Sequence, residues 1–186
     1  LLNEAIDIQP NNVSILNNLG TACKELGELK NAIGYYKKAI QIDPNNANAQ
    51  YNLGAAYYDL KQLKEAKSYL QKAIELQPNF ALPFLILGNT YADLMEYENA
   101  ISNYQKAIEI NYNLAGAHNN LGLVFRALND FKNAINCYKK AIEIKNDHAG
   151  AHHNLALAFK ETGKFDEAIK SHEMAIKCEP ENLTHY

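Results

Sequence analysis

Asparagine and histidine side chains are concentrated in two stretches whose other residues favour helix. Residues 117–122 read AHNNLG and residues 151–156 read AHHNLA. Asparagine costs roughly 0.5 kcal/mol relative to alanine in a helix interior, so paired carboxamides need a reason to be there. A carboxamide carries both a donor and an acceptor, and it can bond the N–H and C=O groups of a peptide whatever the peptide's side chains are. These residues are therefore suited to binding an extended peptide.

The histidines suggest a second chemistry, metal binding. His148 and His152 are spaced i, i+4, and His153 follows them. A structural zinc site needs about four ligands, and no nearby cysteine or carboxylate completes the set. The sequence also has no Gly-rich phosphate loop and no nucleophile–base arrangement. We therefore expect no metal, no other cofactor and no catalytic residue.

The composition limits the class of protein. The chain has 186 residues, of which 47% are hydrophobic, and a formal net charge of −3. That length supports a sizeable core, and the charge argues against a nucleic-acid partner bound through its phosphates. No apolar run approaches the roughly 20 residues that span a bilayer, and no export signal is apparent, so we expect no membrane partner. The three cysteines are odd in number and widely spaced, which favours reduced thiols and a cytoplasmic location.

A period of thirty-four residues (53 − 19 = 34) places these side chains. The Leu-Gly pair recurs at this period, with alanine replacing glycine once, as Leu19-Gly20, Leu53-Gly54, Leu87-Gly88, Leu121-Gly122 and Leu155-Ala156. Each period contains two stretches with apolar residues at i, i+3, i+4 and i+7, which predicts two amphipathic helices. One such pair cannot bury its own apolar face, so the pairs must stack into an all-α solenoid.

The residues in the turns, inside and between the periods, vary more than those in the helices. The residue between the two helices is Gly27, Lys61, Met95, Asn129 and Gly163 in turn. Glycine and asparagine tolerate the left-handed conformation that ends many helices, but lysine and methionine offer no such relief. A proline closes several periods, whereas Tyr112 and Asn146 stand in its place in the third and fourth. We expect those two junctions to bend differently.

This pattern resembles the tetratricopeptide repeat (TPR), and the resemblance covers essentially the whole chain. We divide the array, 1–186, into a second helix of a preceding repeat, five complete repeats and the start of a following one: 1–12, 13–46, 47–80, 81–114, 115–148, 149–182 and 183–186. The resemblance implies a right-handed α–α superhelix. It also implies a concave groove, lined by the first helix of each repeat, that binds partner proteins.

A helical wheel separates two faces of each first helix. When each repeat is numbered from its first residue, positions 4, 7, 8 and 11 cluster on one side and positions 2, 5, 6, 9, 12 and 13 roughly opposite. The first set carries the Leu-Gly pairs and should pack, so we expect His118 and His152, at position 4, to be packed imidazoles. The second set should line the groove. The candidate peptide-binding residues are Asn17, Asn18, Tyr51, Asn52, Tyr58, Leu82, Leu85, Ile86, Asn89, Asn119, Asn120, His153 and Asn154.

Two interpretations of the asparagines stay open. They form a ladder for an extended chain, similar to the series in the superhelical TPR domain of O-linked N-acetylglucosamine transferase, or they reflect a family preference and contact only solvent. The apolar residues Leu82, Leu85 and Ile86 likewise form either a pocket for a ligand side chain or a surface covered by neighbouring helices or a dimer partner.

The acidic residues at position 13 also allow two interpretations. These residues are Glu25, Asp59, Asp93 and Glu161. They bias the groove toward basic ligands, or they form a solvated edge that is offset by Lys24, Arg126 and Lys160.

Two functions follow from the family resemblance. The first is a non-catalytic scaffold that binds an extended segment of a partner protein or peptide. The second is the substrate-recruiting arm of a larger transferase, a glycosyltransferase or sulfotransferase, whose catalytic domain lies outside these residues. We also expect end-to-end self-association, because Leu1 and Leu2 at one end, and Met174 and Ile176 at the other, lie on helices that lack a covering repeat.

Overall fold

A computed structural model describes residues 11–179 of the chain. Within that range it contains helices and turns and no strand, which confirms the all-α prediction. The helices are α1 (Val13–Glu25), α2 (Leu29–Ile42), α3 (Ala47–Asp59), α4 (Leu63–Leu76), α5 (Ala81–Asp93), α6 (Tyr97–Ile110), α7 (Ala115–Ala127), α8 (Phe131–Ile144), α9 (Ala149–Glu161) and α10 (Phe165–Cys178). The predictions for residues 1–10 and 180–186 lie outside the described residues.

The chain divides into two compact units, which we describe separately. The N-terminal unit, residues 11–94, holds α1 to α5, and the C-terminal unit, residues 95–179, holds α6 to α10. In each unit every helix contacts the next helix along the chain. The first helices of successive repeats also contact one another directly, α1 with α3 and α3 with α5 in one unit, and α7 with α9 in the other. The residues of the first helices therefore form a continuous face within each unit.

Small residues allow the two helices of a repeat to approach closely. Ala32 and Ala134, near the start of second helices, have no solvent exposure. A Cβ added to Gly122 would lie 2.6 Å from Cε1 of Tyr138, which is shorter than any tolerated contact. Position 8 must therefore be glycine wherever a tyrosine ring lies across it. The fifth repeat has Ala156 at this position, and there His172 stands in place of the tyrosine.

The turn between the two helices uses the left-handed conformation in all five repeats. The φ angles are +79° for Gly27, +59° for Lys61, +60° for Met95, +60° for Asn129 and +75° for Gly163. The conformation costs a residue with a side chain roughly 1–2 kcal/mol. Lys61 and Met95 therefore carry a local strain that the helix packing around them must outweigh.

The junctions between repeats do not depend on proline, contrary to our expectation. The residue that ends the second helix has nearly the same torsion angles before Pro44 (Asp43, φ −131°, ψ 92°) as before Asn146 (Lys145, φ −133°, ψ 96°). The same is true before Tyr112, where Asn111 has φ −138° and ψ 95°. Another contact must hold the junction in place.

At three junctions that contact is a hydrogen bond from the side chain at position 4 to the carbonyl oxygen six residues earlier; the third repeat has Phe84 at position 4 and cannot make it. Gln50 Nε2 donates to the carbonyl of Pro44 at 3.0 Å. His152 Nε2 lies 3.0 Å from the carbonyl of Asn146, and His118 bonds the carbonyl of Tyr112 at the same distance. We call these bonds the junction ties. Because the carbonyl is satisfied by a side chain, the closing residue itself is free to vary.

Candidate functional site

The candidate peptide-binding residues lie on the first helices and keep part of their surface open. Among them, Asn18 and His153 are exposed and Asn119 is buried, with 8% of its surface accessible. The remaining candidate residues are half-buried. On the predicted packing face, Leu53 and Leu121 are buried, as the wheel requires. The ligand-binding role of the candidate residues stays a prediction.

Aromatic and aliphatic side chains meet on α3 and α5 of the N-terminal unit. The ring of Tyr51 packs against that of Phe80, with a centroid distance of 5.1 Å and an interplanar angle of 60°. Phe80 precedes α5, and Leu82, Leu85 and Ile86 follow on that helix as half-buried residues. Sequence reasoning missed Phe80 because the turn residues were not placed on the wheel. We call Tyr51, Leu82, Leu85 and Ile86 the apolar patch.

Ion pairs run along the edge of the same unit. Lys24 Nζ lies 3.0 Å from a carboxylate oxygen of Asp59, and Lys61 Nζ lies 2.8 Å from one of Asp93. The Lys61 ammonium is also 4.9 Å from the centroid of the Tyr58 ring. Burial, and then the charge of Asp93, raises the pKa of Tyr58. Both carboxylates are thus matched by cations, which favours a charge-balanced edge over a site for basic ligands.

Three carboxamides are linked in the C-terminal unit. Asn154 Nδ2 donates to Asn119 Oδ1 at 3.0 Å, and Asn119 Nδ2 donates to Asn120 Oδ1 at 3.1 Å. The first bond joins α9 to α7. Buried Asn119 therefore connects neighbouring repeats, a use of the amide that the sequence did not reveal.

The corresponding amide of the N-terminal unit, that of Asn17, is not linked in this way. Asn17 occupies position 5 of its repeat, as Asn119 does, but its Oδ1 atom is buried without a hydrogen-bond partner among the described residues. Leaving a buried acceptor unpaired costs about 1–3 kcal/mol. The asparagine series is consequently not a uniform ladder.

The histidines have structural surroundings. His118 and His152 are 6% and 7% exposed and donate the junction ties, which confirms that they are packed imidazoles. His148 precedes α9, where its Nδ1 atom accepts a hydrogen bond from the backbone N–H of Ala151 at 3.2 Å. Burial lowers the pKa of His148. The ring of His153 lies edge-on to that of His172 at 5.1 Å.

Residues 11–179 contain no group of three or more histidine, cysteine, aspartate or glutamate side chains that could hold a metal ion. None of the helices in this range is long and apolar enough to cross a membrane.

The last described helix presents apolar side chains to solvent. Met174 is 41% and Ile176 46% exposed on α10. In the preceding repeat, the equivalent Ile142 packs against the core cluster that contains Leu155. Ile176 is thus exposed where Ile142 is covered, and self-association through α10 stays a prediction.

Comparison with known proteins identifies the repeats. A family model described as a TPR repeat matches residues 20–61, 88–125 and 122–163. Further models described as a tetratricopeptide repeat match residues 47–80, 1–34 and 151–184. No curated protein matches the chain.

Solved structures of repeat proteins have the same fold. MamA is 32% identical to this chain with a TM-score of 0.76, and the match covers 89% of this chain and 97% of MamA. YrrB, described as a TPR protein with an unusual peptide-binding site, is 24% identical with a TM-score of 0.71 and coverages of 98% and 94%. A thermophilic TPR protein in Thermus thermophilus is 22% identical with a TM-score of 0.79 and coverages of 92% and 94%. The last two likenesses concern the fold alone.

The repeat period, the paired helices and these matches agree over the length of the chain. The fold is the stacked helix-turn-helix solenoid that the sequence predicts, and the chain belongs to the tetratricopeptide repeat family.

Proposed function

We propose that this protein is a non-catalytic protein-interaction scaffold that binds an extended segment of a partner protein along its first helices. The observation that carries this proposal is the apolar patch on the N-terminal unit. Leu82, Leu85 and Ile86 stand at positions where the other repeats mostly have polar residues, and all three keep part of their surface open. Contiguous apolar surface on a soluble domain commonly marks an interaction site.

The patch has the features of a pocket for one large apolar side chain. Tyr51 forms one border, and its ring is held in place by Phe80. Burial raises the pKa of Tyr51, so the phenol stays neutral and the surface beside it uncharged. The charged edge contains Lys24 near the end of α1 and Lys61 in the turn after α3, and both ammonium groups are paired with carboxylates of the same unit. An apolar anchor residue supplies most of the affinity in such a site.

Backbone recognition of the ligand falls to the asparagines that remain accessible. Asn18 is exposed and Asn52 is half-buried, and both occupy position 6 on the same face of α1 and α3. A carboxamide there can accept from one peptide N–H and donate to one C=O. Asn119 is excluded from this role because Asn154 and Asn120 already occupy its amide.

The experiment compares two double variants of the chain in affinity capture from a lysate of the source organism. Leu85→Asp with Ile86→Asp places two charges in the apolar patch, and we expect the captured partner to be lost. The matched control is Leu60→Asp with Leu94→Asp, which introduces the same two charges outside the apolar patch. These leucines directly follow α3 and α5 and are 38% and 41% exposed. Circular dichroism establishes that both variants are folded.

A folded patch variant that retains every partner would refute the proposal. A further variant, Asn52→Ala, tests the amide contribution. We expect binding to weaken by about 1 kcal/mol for one lost hydrogen bond.

A further inference from the structure

The C-terminal unit has a cavity on the side of the second helices. Its volume is about 340 Å³, and it lies over α9 between α8 and α10. Leu155 of α9 forms the floor, Ile142 of α8 and Met174 of α10 form the walls, and Lys139 and Lys170 stand on the two sides. We call this cavity the notch. A volume of this size is enough for an aromatic side chain with room around it.

One residue that lines the notch is small. Ser171 lines it at position 23 of the fifth repeat, and its hydroxyl donates to the carbonyl oxygen of Glu167 at 2.8 Å. Position 23 of the second repeat is Tyr69, whose ring stacks on that of Tyr57 at a centroid distance of 5.5 Å and an interplanar angle of 15°. The N-terminal unit thus has an aromatic ring at the position that Ser171 occupies in the fifth repeat.

A lysine stands near an aromatic ring in both places. Lys37 Nζ lies 5.7 Å from the centroid of the Tyr57 ring, and the equivalent Lys139 Nζ lies 5.9 Å from that of Phe159. At position 26 the second repeat has Lys72, and the fifth repeat has Met174. A methionine thioether makes favourable contacts with aromatic rings. Met174, together with Ile142 and Leu155, therefore gives the notch an apolar surface suited to a ring supplied from outside.

The charges at the notch are unbalanced. Glu143 lines it too, but Lys140 holds that carboxylate at 2.6 Å. Within residues 11–179, neither Lys139 nor Lys170 has a carboxylate at ion-pair distance. Two unmatched ammonium groups beside an apolar cavity complement a ligand that carries negative charge next to its apolar group.

We infer that the notch binds an aromatic side chain of a partner protein, carried on an acidic segment. The ring enters between α8 and α10 and packs on Ile142, Leu155 and Met174. Carboxylates on either side of the ring pair with Lys139 and Lys170. This site is separate from the apolar patch, and the inference does not depend on the proposed function.

The test uses the whole 186-residue chain and a short fluorescein-labelled peptide in which one phenylalanine is flanked by glutamates. We expect saturable binding by fluorescence anisotropy, and about tenfold weaker binding when serine replaces the phenylalanine or lysine replaces the glutamates. Ser171→Tyr fills the notch from within and should also weaken binding about tenfold. Ser68→Tyr, the same substitution at an exposed site of α4, should leave binding unchanged.

Charge reversal provides a variant that does not disturb the packing. Lys139→Glu with Lys170→Glu alters two exposed side chains and should weaken binding about tenfold while preserving the circular dichroism spectrum. Unchanged affinity in this variant would overturn the inference, whether or not Ser171→Tyr folds. Binding that is lost in Leu85→Asp with Ile86→Asp, but kept in the notch variants, would place the peptide on the apolar patch and would equally overturn the notch.

Discussion

The two units place asparagine at the same position and satisfy it in one unit only. In the C-terminal unit, Asn119 accepts a hydrogen bond from Asn154 of the next repeat. In the N-terminal unit, Asn17 stands at the same position, and Asn52 stands where Asn154 does, yet Asn17 Oδ1 is buried without a partner among the described residues. The residue preceding the donor differs, since Tyr51 and its ring contact with Phe80 replace His153.

Tyr36 and Tyr138, on second helices, show the reverse of the asparagine pattern. Their hydroxyl is paired in the N-terminal unit and unpaired in the C-terminal unit. In the N-terminal unit, the hydroxyl of Tyr36 lies 3.3 Å from Thr21 Oγ1. In the C-terminal unit, Leu123 takes the place of Thr21, and the buried hydroxyl of Tyr138 has no hydrogen-bond partner within the described part of the chain. Burial raises the pKa of Tyr138 to about 12. Each unit thus leaves one polar atom unpaired that the other unit pairs.

The difference shows that position in a repeat does not determine the energetic role of a residue. Backbone geometry repeats, but a hydrogen bond also needs the neighbouring residue to supply a donor or an acceptor. An unpaired buried polar atom costs about as much as a hydrogen bond contributes, so equivalent substitutions in the two units should have opposite signs.

The largest expected effect is at the asparagines. Asn119→Ala removes the acceptor of Asn154, and we expect the free energy of unfolding to fall by about 1–2 kcal/mol. Asn17→Ala removes an unpaired acceptor and adds a better helix former, so the free energy of unfolding should rise by about 0.5 kcal/mol. Urea titration followed by circular dichroism measures both. Equal losses in the two variants would mean that Asn17 is paired in solution.

A smaller contrast is expected at the tyrosines. Tyr36→Phe removes the hydroxyl that meets Thr21 and should lower the free energy of unfolding by about 1 kcal/mol. Tyr138→Phe removes an unpaired hydroxyl and should leave that free energy unchanged or raise it slightly. The matched control is Leu123→Thr with Tyr138 unchanged. The new threonine hydroxyl supplies Tyr138 with the partner that Thr21 gives Tyr36 in the N-terminal unit. If Tyr138→Phe proves as damaging as Tyr36→Phe, the comparison fails.

The smallest effect concerns the start of one helix in each unit. Asn46 caps α3 through an oxygen that does not titrate near neutral pH, accepting from the N–H of Ala49 at 3.0 Å. His148 caps α9 through Nδ1, which can accept a hydrogen bond only while the imidazole is neutral.

Burial lowers the pKa of His148 from its usual 6.5 in the folded protein. Its contribution to stability is therefore present above pH 6.5 and is lost as the pH falls through the lowered pKa. We expect His148→Asn to remove about 0.5 kcal/mol of the acid-induced loss of stability. Thermal melts of the two proteins at neutral and acidic pH measure the difference. Parallel pH profiles would show that the cap does not titrate.

The sequence was sufficient for the fold because the period and the apolar spacing both repeat. Four occurrences of the Leu-Gly pair and one Leu-Ala pair averaged out local exceptions, and buried Leu19 and Leu155 mark the packing face in the first and last repeats. The wheel also placed His118 and His152 correctly, since burial depends mainly on which way a position faces.

The local departures could not be predicted because they depend on pairs of residues distant in the sequence. Lys61 adopts the left-handed conformation without a favourable side chain, because the packing of α3 against α4, the two helices that it joins, imposes it. The bond between Asn119 and Asn154 spans 35 residues, and nothing in either repeat alone distinguishes it from Asn17 and Asn52. The notch brings together Lys139 of α8, Leu155 of α9 and Ser171 of α10, and their proximity needs the positions of three helices.

The junction ties have a consequence for how the array can change length in evolution. Each tie joins residues six apart across a repeat boundary, as Gln50 is joined to Pro44 (50 − 44 = 6), so inserting or deleting a residue there puts donor and acceptor out of register. Losing residues 115–148 restores the register, because His152 then follows Tyr112 by six residues (152 − 34 − 112 = 6) and takes the place of His118. Loss of this whole repeat therefore keeps the register of the tie, whereas a single-residue insertion at the boundary breaks it.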